Sequence, residues 1–164
     1  MKIIPYSSAY WPAVERIHAE GIATGQATFE TEPKQQAAFE TESVPGASFL
    51  AIDADGGVQG WATLWPVSDR CCYAGVAEVS VYISEKGRGQ GIGTLLLDRL
   101  IQFSESHNIW TLTAGVFPEN TASTHLHMKA GFRLLGVRER IAKHGNVWRD
   151  NQMLERRSKK IGND

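Results

Sequence analysis

From Glu78 to Ile83 polar and apolar positions alternate without a break, with Val79, Val81 and Ile83 on one side and Glu78, Ser80 and Tyr82 on the other. That is the two-residue period of a strand. Glycines then stand at 87, 89, 91 and 93, and Ile92, Leu95, Leu96 and Leu100 recur at helical spacing. The pattern predicts a strand, a glycine-rich turn and a helix over residues 91–106. Ile109–Val116 is a second apolar run of strand length, and two strands joined through a long helix imply parallel pairing by a right-handed crossover.

The flanks are patterned more simply. Lys2–Ile4 suits an edge strand, and Trp11, Val14, Ile17 and His18 form a helical stripe capped by Ser7 or Ser8 and ending at Gly21. His18 on that stripe reads as a packed core histidine. The Gly- and Thr-rich residues 21–32 form a loop, in which Thr28, Phe29 and Glu30 are either binding contacts or, for the aromatic, packing beneath a connector. Pro33 opens a second helix through Gln36, Phe39 and Glu42. Ala47–Ala54 and Val58–Trp65 make a hairpin turned at Asp53–Gly57. On the connector before the central strand, Arg70 and Tyr73 either face whatever the glycine turn holds or stand in solvent. Asn120 caps a helix from Thr121 to Ala130 that Gly131 ends. Phe132–Ile141 and Val147–Leu154 flank a final hairpin turn, and the charged tail is expected to fray.

Composition narrows the classes. The 164 residues fit one domain, residues 1–164. A net charge of −1 with 42% apolar residues offers no basic field for a nucleic acid. No apolar run nears the roughly 20 residues of a membrane span, and the N-terminus lacks a signal peptide's apolar core, so a cytoplasmic protein is expected. Cys71 and Cys72 are the sole cysteines and adjacent. That arrangement suits a reducing compartment and provides neither a structural disulfide nor a metal site.

A strand that runs through glycines into a helix aims unpaired backbone N–H groups at one point, and the helix dipole makes that point attractive to a phosphate. No lysine precedes Thr94 as a Walker loop requires, and the spacing is G-x-G-x-G rather than the dinucleotide G-x-G-x-x-G. What fits is Arg88-x-x-Gly91-x-Gly93, which resembles the acetyl-CoA pyrophosphate loop of the Gcn5-related (GNAT) N-acetyltransferases. Further pieces resemble their phosphinothricin and methionine sulfoximine acetyltransferase subgroup: Arg70 with Tyr73, E-x-S-V-Y at 78–82, P-x-N-x-x-S at 118–123, L-H-x-x-x-G-F at 126–132, and the set Lys143, Gly145, Trp148 and Asp150.

The resemblance implies an α+β acyl-CoA N-acyltransferase fold, with a mixed, mostly antiparallel sheet and a splayed parallel strand pair. It implies direct acetyl transfer from acetyl-CoA to the amine of a small amino-acid-like acceptor, without a metal, in a homodimer. Acetyl-CoA contacts would come from Val81, Tyr82 and Ile83, from Arg88, Gly89, Gln90, Gly91, Ile92, Gly93 and Thr94, and from Asn120 and Ser123. Phe29, Arg70, Cys72, Tyr73, Glu78 and Lys143 would meet the acceptor. Glu78 is the candidate general base, because an ammonium cannot attack, and His127 stands where the wider superfamily carries a tyrosine that protonates the departing thiolate. A non-catalytic acyl-CoA sensor and a mononucleotide-binding protein are the alternatives. Glu78, His127 and Asn120 beside the cradle speak against the first, and the absent Walker lysine against the second.

Overall fold

The computed structural model describes residues 1–164. Seven strands and four helices follow in the order β1 (Lys2–Pro5), α1 (Trp11–Ala23), α2 (Gln36–Glu42), β2 (Phe49–Ile52), β3 (Val58–Pro66), β4 (Val76–Ile83), α3 (Ile92–Ser106), β5 (Thr111–Val116), α4 (Thr121–Lys129), β6 (Arg133–His144) and β7 (Val147–Arg157). The strands form one sheet in the order β1-β2-β3-β4-β5-β7-β6. Every neighbouring pair is antiparallel except β4 with β5. The α+β class and the parallel central pair agree with the sequence reading.

Strand alternation sorts the core onto two faces. Phe49, Ala51, Ala62, Leu64 and Val79 join α3 in a cluster of 19 buried residues, whereas Leu50, Val58 and Trp61 join α1 and Phe39 in a cluster of 7. In α3 the buried stripe is Ile92, Leu96, Leu97, Leu100, Ile101 and Phe103. Leu95 is 43% exposed and does not belong to it. At roughly 1.5–3 kcal/mol for each large side chain fully buried, this stripe holds α3 on the sheet and so fixes where its N-terminus points.

Several local expectations give way. Gly21 does not end α1 but lies within it, where a Cβ would stand 2.6 Å from Tyr82 Cδ1. The glycine is there because the helix crosses the Tyr82 ring too closely for any side chain. Ser7 makes no capping bond, and a short 3-10 turn at Ser8–Tyr10 leads into α1 with proline in its first turn. Pro33 lies ahead of α2, whose N-cap is Gln35. The tail is tied down: Ser158 is buried, its N–H donates to Trp110 O at 2.8 Å, and Glu105 meets Arg156, Ser158 and Lys160 within 3.2 Å. No helix is long and apolar enough to cross a membrane.

Candidate functional site

The site begins where two strands part. β4 and β5 pair only through Val76–Glu78 against Thr111–Thr113, although β4 continues to Ile83 and β5 to Val116. Beyond Glu78 and Thr113 they diverge around a cavity of about 850 Å³, lined from both strands, Gly21 of α1 and the 24–29 loop after it, the glycine turn and α4. Hydrogen-bond parity shows what faces it. Gly75 O accepts from Thr111 N, and at the far end Ser84 N donates to Gln59 O on the β3 side. With a period of two, the Val79 carbonyl and the main-chain groups of Val81 and Ile83 point into the cleft, and past the fork no strand satisfies them.

At the cleft's far end the glycine turn meets α3. Ser84 Oγ accepts from Gly87 N at 3.0 Å and donates to Gln59 Oε1 at 2.7 Å, which anchors the turn to β3. Gly89 and Gly91 take the left-handed conformation, with φ of 74° and 76°, and Gly91 is the N-cap of α3. A Cβ at either would meet no protein atom within 4 Å, so backbone conformation and open space for a ligand set these two positions. The first intrahelical bond runs from Leu95 N to Gly91 O. The N–H groups of Ile92, Gly93 and Thr94 thus lack intrahelical partners, as at any helix start. Together with the Arg88 guanidinium they suit a diphosphate. Of the expected cofactor contacts, Val81, Tyr82, Ile83, Arg88, Gly89, Gly91, Ile92, Gly93, Asn120 and Ser123 line the cavity, whereas the side chains of Gln90 and Thr94 do not.

Glu78 stands at the fork. It lines both this cavity and a second of about 710 Å³ on the α1–α2 side of the sheet, walled by Phe39, Trp61, Trp65 and Tyr82. Its side chain is solvent-accessible inside the clefts, not on an open face, and desolvation raises its pKa while Arg138 pulls the other way. Tyr82 beside it stacks on Trp61. Burial, opposed by a hydrogen bond from Thr28, pushes the Tyr82 phenol up to about 12. Ser80, on the same face, accepts from Trp65 Nε1 at 2.9 Å.

On α4 the Asn120 side chain caps the helix by accepting from Ser123 N at 3.1 Å, and its amide donates to Gln26 O at 3.2 Å. One residue therefore ties the helix start to the 24–29 loop across the cleft. His127 is buried, with Nδ1 2.7 Å from Ser123 O. Burial lowers its pKa, and the Ser123 carbonyl opposes that only in part. At neutral pH the ring is uncharged, and its single N–H is committed to Ser123 O.

The expected acceptor contacts scatter. Phe29 lines the large cavity, edge-on to Phe117. Cys72 and Tyr73 lie on an exposed 3-10 turn with Arg70 at its cap, and the Arg70 guanidinium lies over the Tyr73 ring. Lys143 lies over Trp148 on the β6–β7 hairpin. None of Arg70, Cys72, Tyr73 and Lys143 lines either cavity of this single chain. His18 is buried as expected, with Nε2 2.9 Å from Glu30 Oε2 beside the second cavity. Sequence reasoning missed Arg138, Asn151, Met153 and Thr113, all in the large cavity's lining.

A model of the acetyltransferase (GNAT) family matches residues 11–132. The chain is 32% identical over 150 residues to the phosphinothricin N-acetyltransferase of Alcaligenes faecalis, covering 88% of this chain and 76% of that protein. It is 28% identical over 149 residues to the L-methionine sulfoximine/L-methionine sulfone acetyltransferase of Pseudomonas aeruginosa, covering 88% and 87%. Among solved structures it is similar to a phosphinothricin acetyltransferase from Sinorhizobium meliloti in complex with AcCoA, with a TM-score of 0.87, 27% identity and coverage of 99% of this chain and 94% of that one.

Proposed function

Given that the chain belongs to the acetyltransferase (GNAT) family and is an acetyl-CoA-dependent N-acetyltransferase, we propose that it moves the acetyl group directly to the amine of a small amino-acid-like acceptor of the phosphinothricin or methionine sulfoximine/sulfone kind. This is a detoxifying activity. The observation that carries the reading is Glu78 at the fork, reachable both from the cleft with the anion cradle and from the aromatic-walled cavity.

In this reading the cleft-facing amides of Val81 and Ile83 hold the pantetheine arm, and the Val81 N–H lies where an oxyanion donor is needed. Bound acetyl-CoA supplies an activated thioester, so alignment with the amine lowers the barrier by several kcal/mol and no enzyme nucleophile is required. Glu78 accepts the amine proton, directly or through one water. Burial raises its pKa, which makes it a stronger base than an ordinary carboxylate. His127 enters neutral with its N–H already engaged, so it can protonate the departing sulfur only after collecting a proton. A thiol of pKa about 8.5 leaves tolerably as thiolate, and little acid assistance is needed.

The proposal extends to assembly and place. Val137, Ile141, Val147 and Trp148 are exposed large apolar side chains on the β6–β7 hairpin, and a second copy of the chain is their natural cover. In a dimer the hairpin residue Lys143 would approach the acceptor. The cytoplasm supplies acetyl-CoA and keeps Cys71 and Cys72, both exposed, reduced.

A thermal-shift comparison followed by thiol-release assays tests the function. Stabilisation by acetyl-CoA and not ATP is expected, with CoA thiol released when phosphinothricin, methionine sulfoximine or methionine sulfone is added. Binding without release for any amine acceptor would leave a sensor.

A further inference from the structure

The charged lining of the large cavity is sparse: Glu78, Arg88 and Arg138. Arg88 belongs to the glycine cradle. Arg138 comes from the opposite end, on the outermost strand, and none of the chain's ion pairs includes it. An exposed arginine in no ion pair that lines a ligand cavity is available to a carboxylate of the ligand.

The strand registers place it on the Glu78 face. Glu78 lies opposite Thr113, and Gly115, two residues on, lies opposite Met153. Asn151, two residues from Met153, lies opposite Arg138. Cross-strand partners and alternate residues share a face, so Thr113, Gly115, Met153 and Asn151 form a floor running diagonally from Glu78 to Arg138. All six residues line the cavity. The floor is low at its centre, since Gly115 has no side chain and a Cβ there would stand 3.0 Å from Asn151 Nδ2. Just beyond Arg138 the β6–β7 register shifts before Ala142, with Arg140 at φ 47° and its N–H donating to Asp150 Oδ1 at 2.8 Å. Bulges of this kind re-aim neighbouring side chains. Arg138 also lies close enough to Glu78 to pull its pKa down against burial.

We propose that Arg138 binds the carboxylate of the acceptor, so that the enzyme selects free α-amino acids over amines lacking a carboxylate. The inference rests on the amine-acetylation reading above and specifies its substrate class. The chemistry is complementary at both ends: a carboxylate base receives the amine, and a planar guanidinium receives the carboxylate in a two-point contact. No other cation reaches that part of the cavity in the single chain.

The test uses CoA-saturated protein, which cannot turn over, titrated calorimetrically with L-methionine sulfone and with its methyl ester. L-Phosphinothricin and L-methionine sulfoximine are run alongside. Hydrogen bonds to a charged group give an expected preference of about 10- to 100-fold for acid over ester in the wild type. Arg138→Gln should abolish the preference by weakening the acid while leaving the ester within about threefold, and Arg138→Lys should restore part of it. The acetyl-CoA dissociation constant should stay unchanged in both variants. A preference that survives Arg138→Gln, equal weakening of acid and ester, or a wild type that binds none of the three acids would overturn the assignment. Thiol release from acetyl-CoA separates the two readings. Acid-selective binding without release removes the transferase reading alone, and equal release with acid and ester removes the carboxylate site alone.

Discussion

At Glu78 burial acts on function and stability in opposite senses. The desolvation that raises its pKa makes it a better base and disfavours the folded state whenever the carboxylate is ionised. An acid raised in the folded state adds stability below its unfolded pKa and loses it as pH climbs through the folded pKa. Glu78→Gln should therefore raise the melting temperature at pH 7, and the gain should vanish below about pH 4. The rise should be a few degrees at most, since 1 kcal/mol moves a domain of this size by about 2–4 °C. The same variant should keep its acetyl-CoA affinity and lose turnover by about 10²- to 10⁴-fold at pH 7, the loss shrinking at higher pH as free amine accumulates. Wild-type turnover at pH 7 would remove Glu78 as the base, and an equal loss at pH 7 and pH 9.5 would make it a positioning residue. His127→Gln is the contrast. Because His127 is neutral with its N–H engaged, kcat should fall less than about tenfold, and a loss matching that of Glu78→Gln would restore an essential acid.

Among the elements, the glycine turn permits the sharpest expectation. Gly91 needs its left-handed φ to start α3, and a β-branched residue there is strained and fills space that no protein atom occupies. Gly91→Val should weaken acetyl-CoA at least about tenfold by calorimetry with the fold retained, and an unchanged affinity in a folded variant would remove the turn from the binding site. This turn, the central strand and the Asn120 cap were legible in sequence because each is a local device. Residues such as Gly21 and Leu95 were misread because local rules say nothing of a neighbour. Glycine ends many helices, yet at 21 it answers to the Tyr82 ring, and whether Leu95 or Leu97 is buried depends on how α3 sits on the sheet. Arg138 was invisible for a related reason. Its face depends on three successive strand registers and a bulge, none of which a run of alternating residues encodes.

In the whole molecule the two ends of the chain's last strand behave differently. At its C-terminal end Glu105 is raised by burial but held below the ordinary carboxylate range overall by Lys160, Ser158 and Arg156. A depressed acid contributes stability above its unfolded pKa that is lost as pH falls through the folded one. Deleting residues 158–164 should cost about 1–3 kcal/mol in urea unfolding at pH 7 and less below pH 4, whereas a frayed tail would make the deletion silent. At the other end the exposed hairpin predicts a dimer by light scattering at micromolar concentration, shifted towards monomer by Trp148→Ala, since buried aromatic anchors dominate such contacts. A wild-type monomer would count against the interface. The bulge between Arg138 and Ala142 bears on how such an enzyme can diverge. Gaining or losing one residue there turns the next side chain over to the opposite face of the sheet. A lineage could thus exchange the group it offers to acceptors through a single indel on the outermost strand, leaving β4 and the glycine turn that grip the acyl donor, three strands away in the sheet, inherited intact.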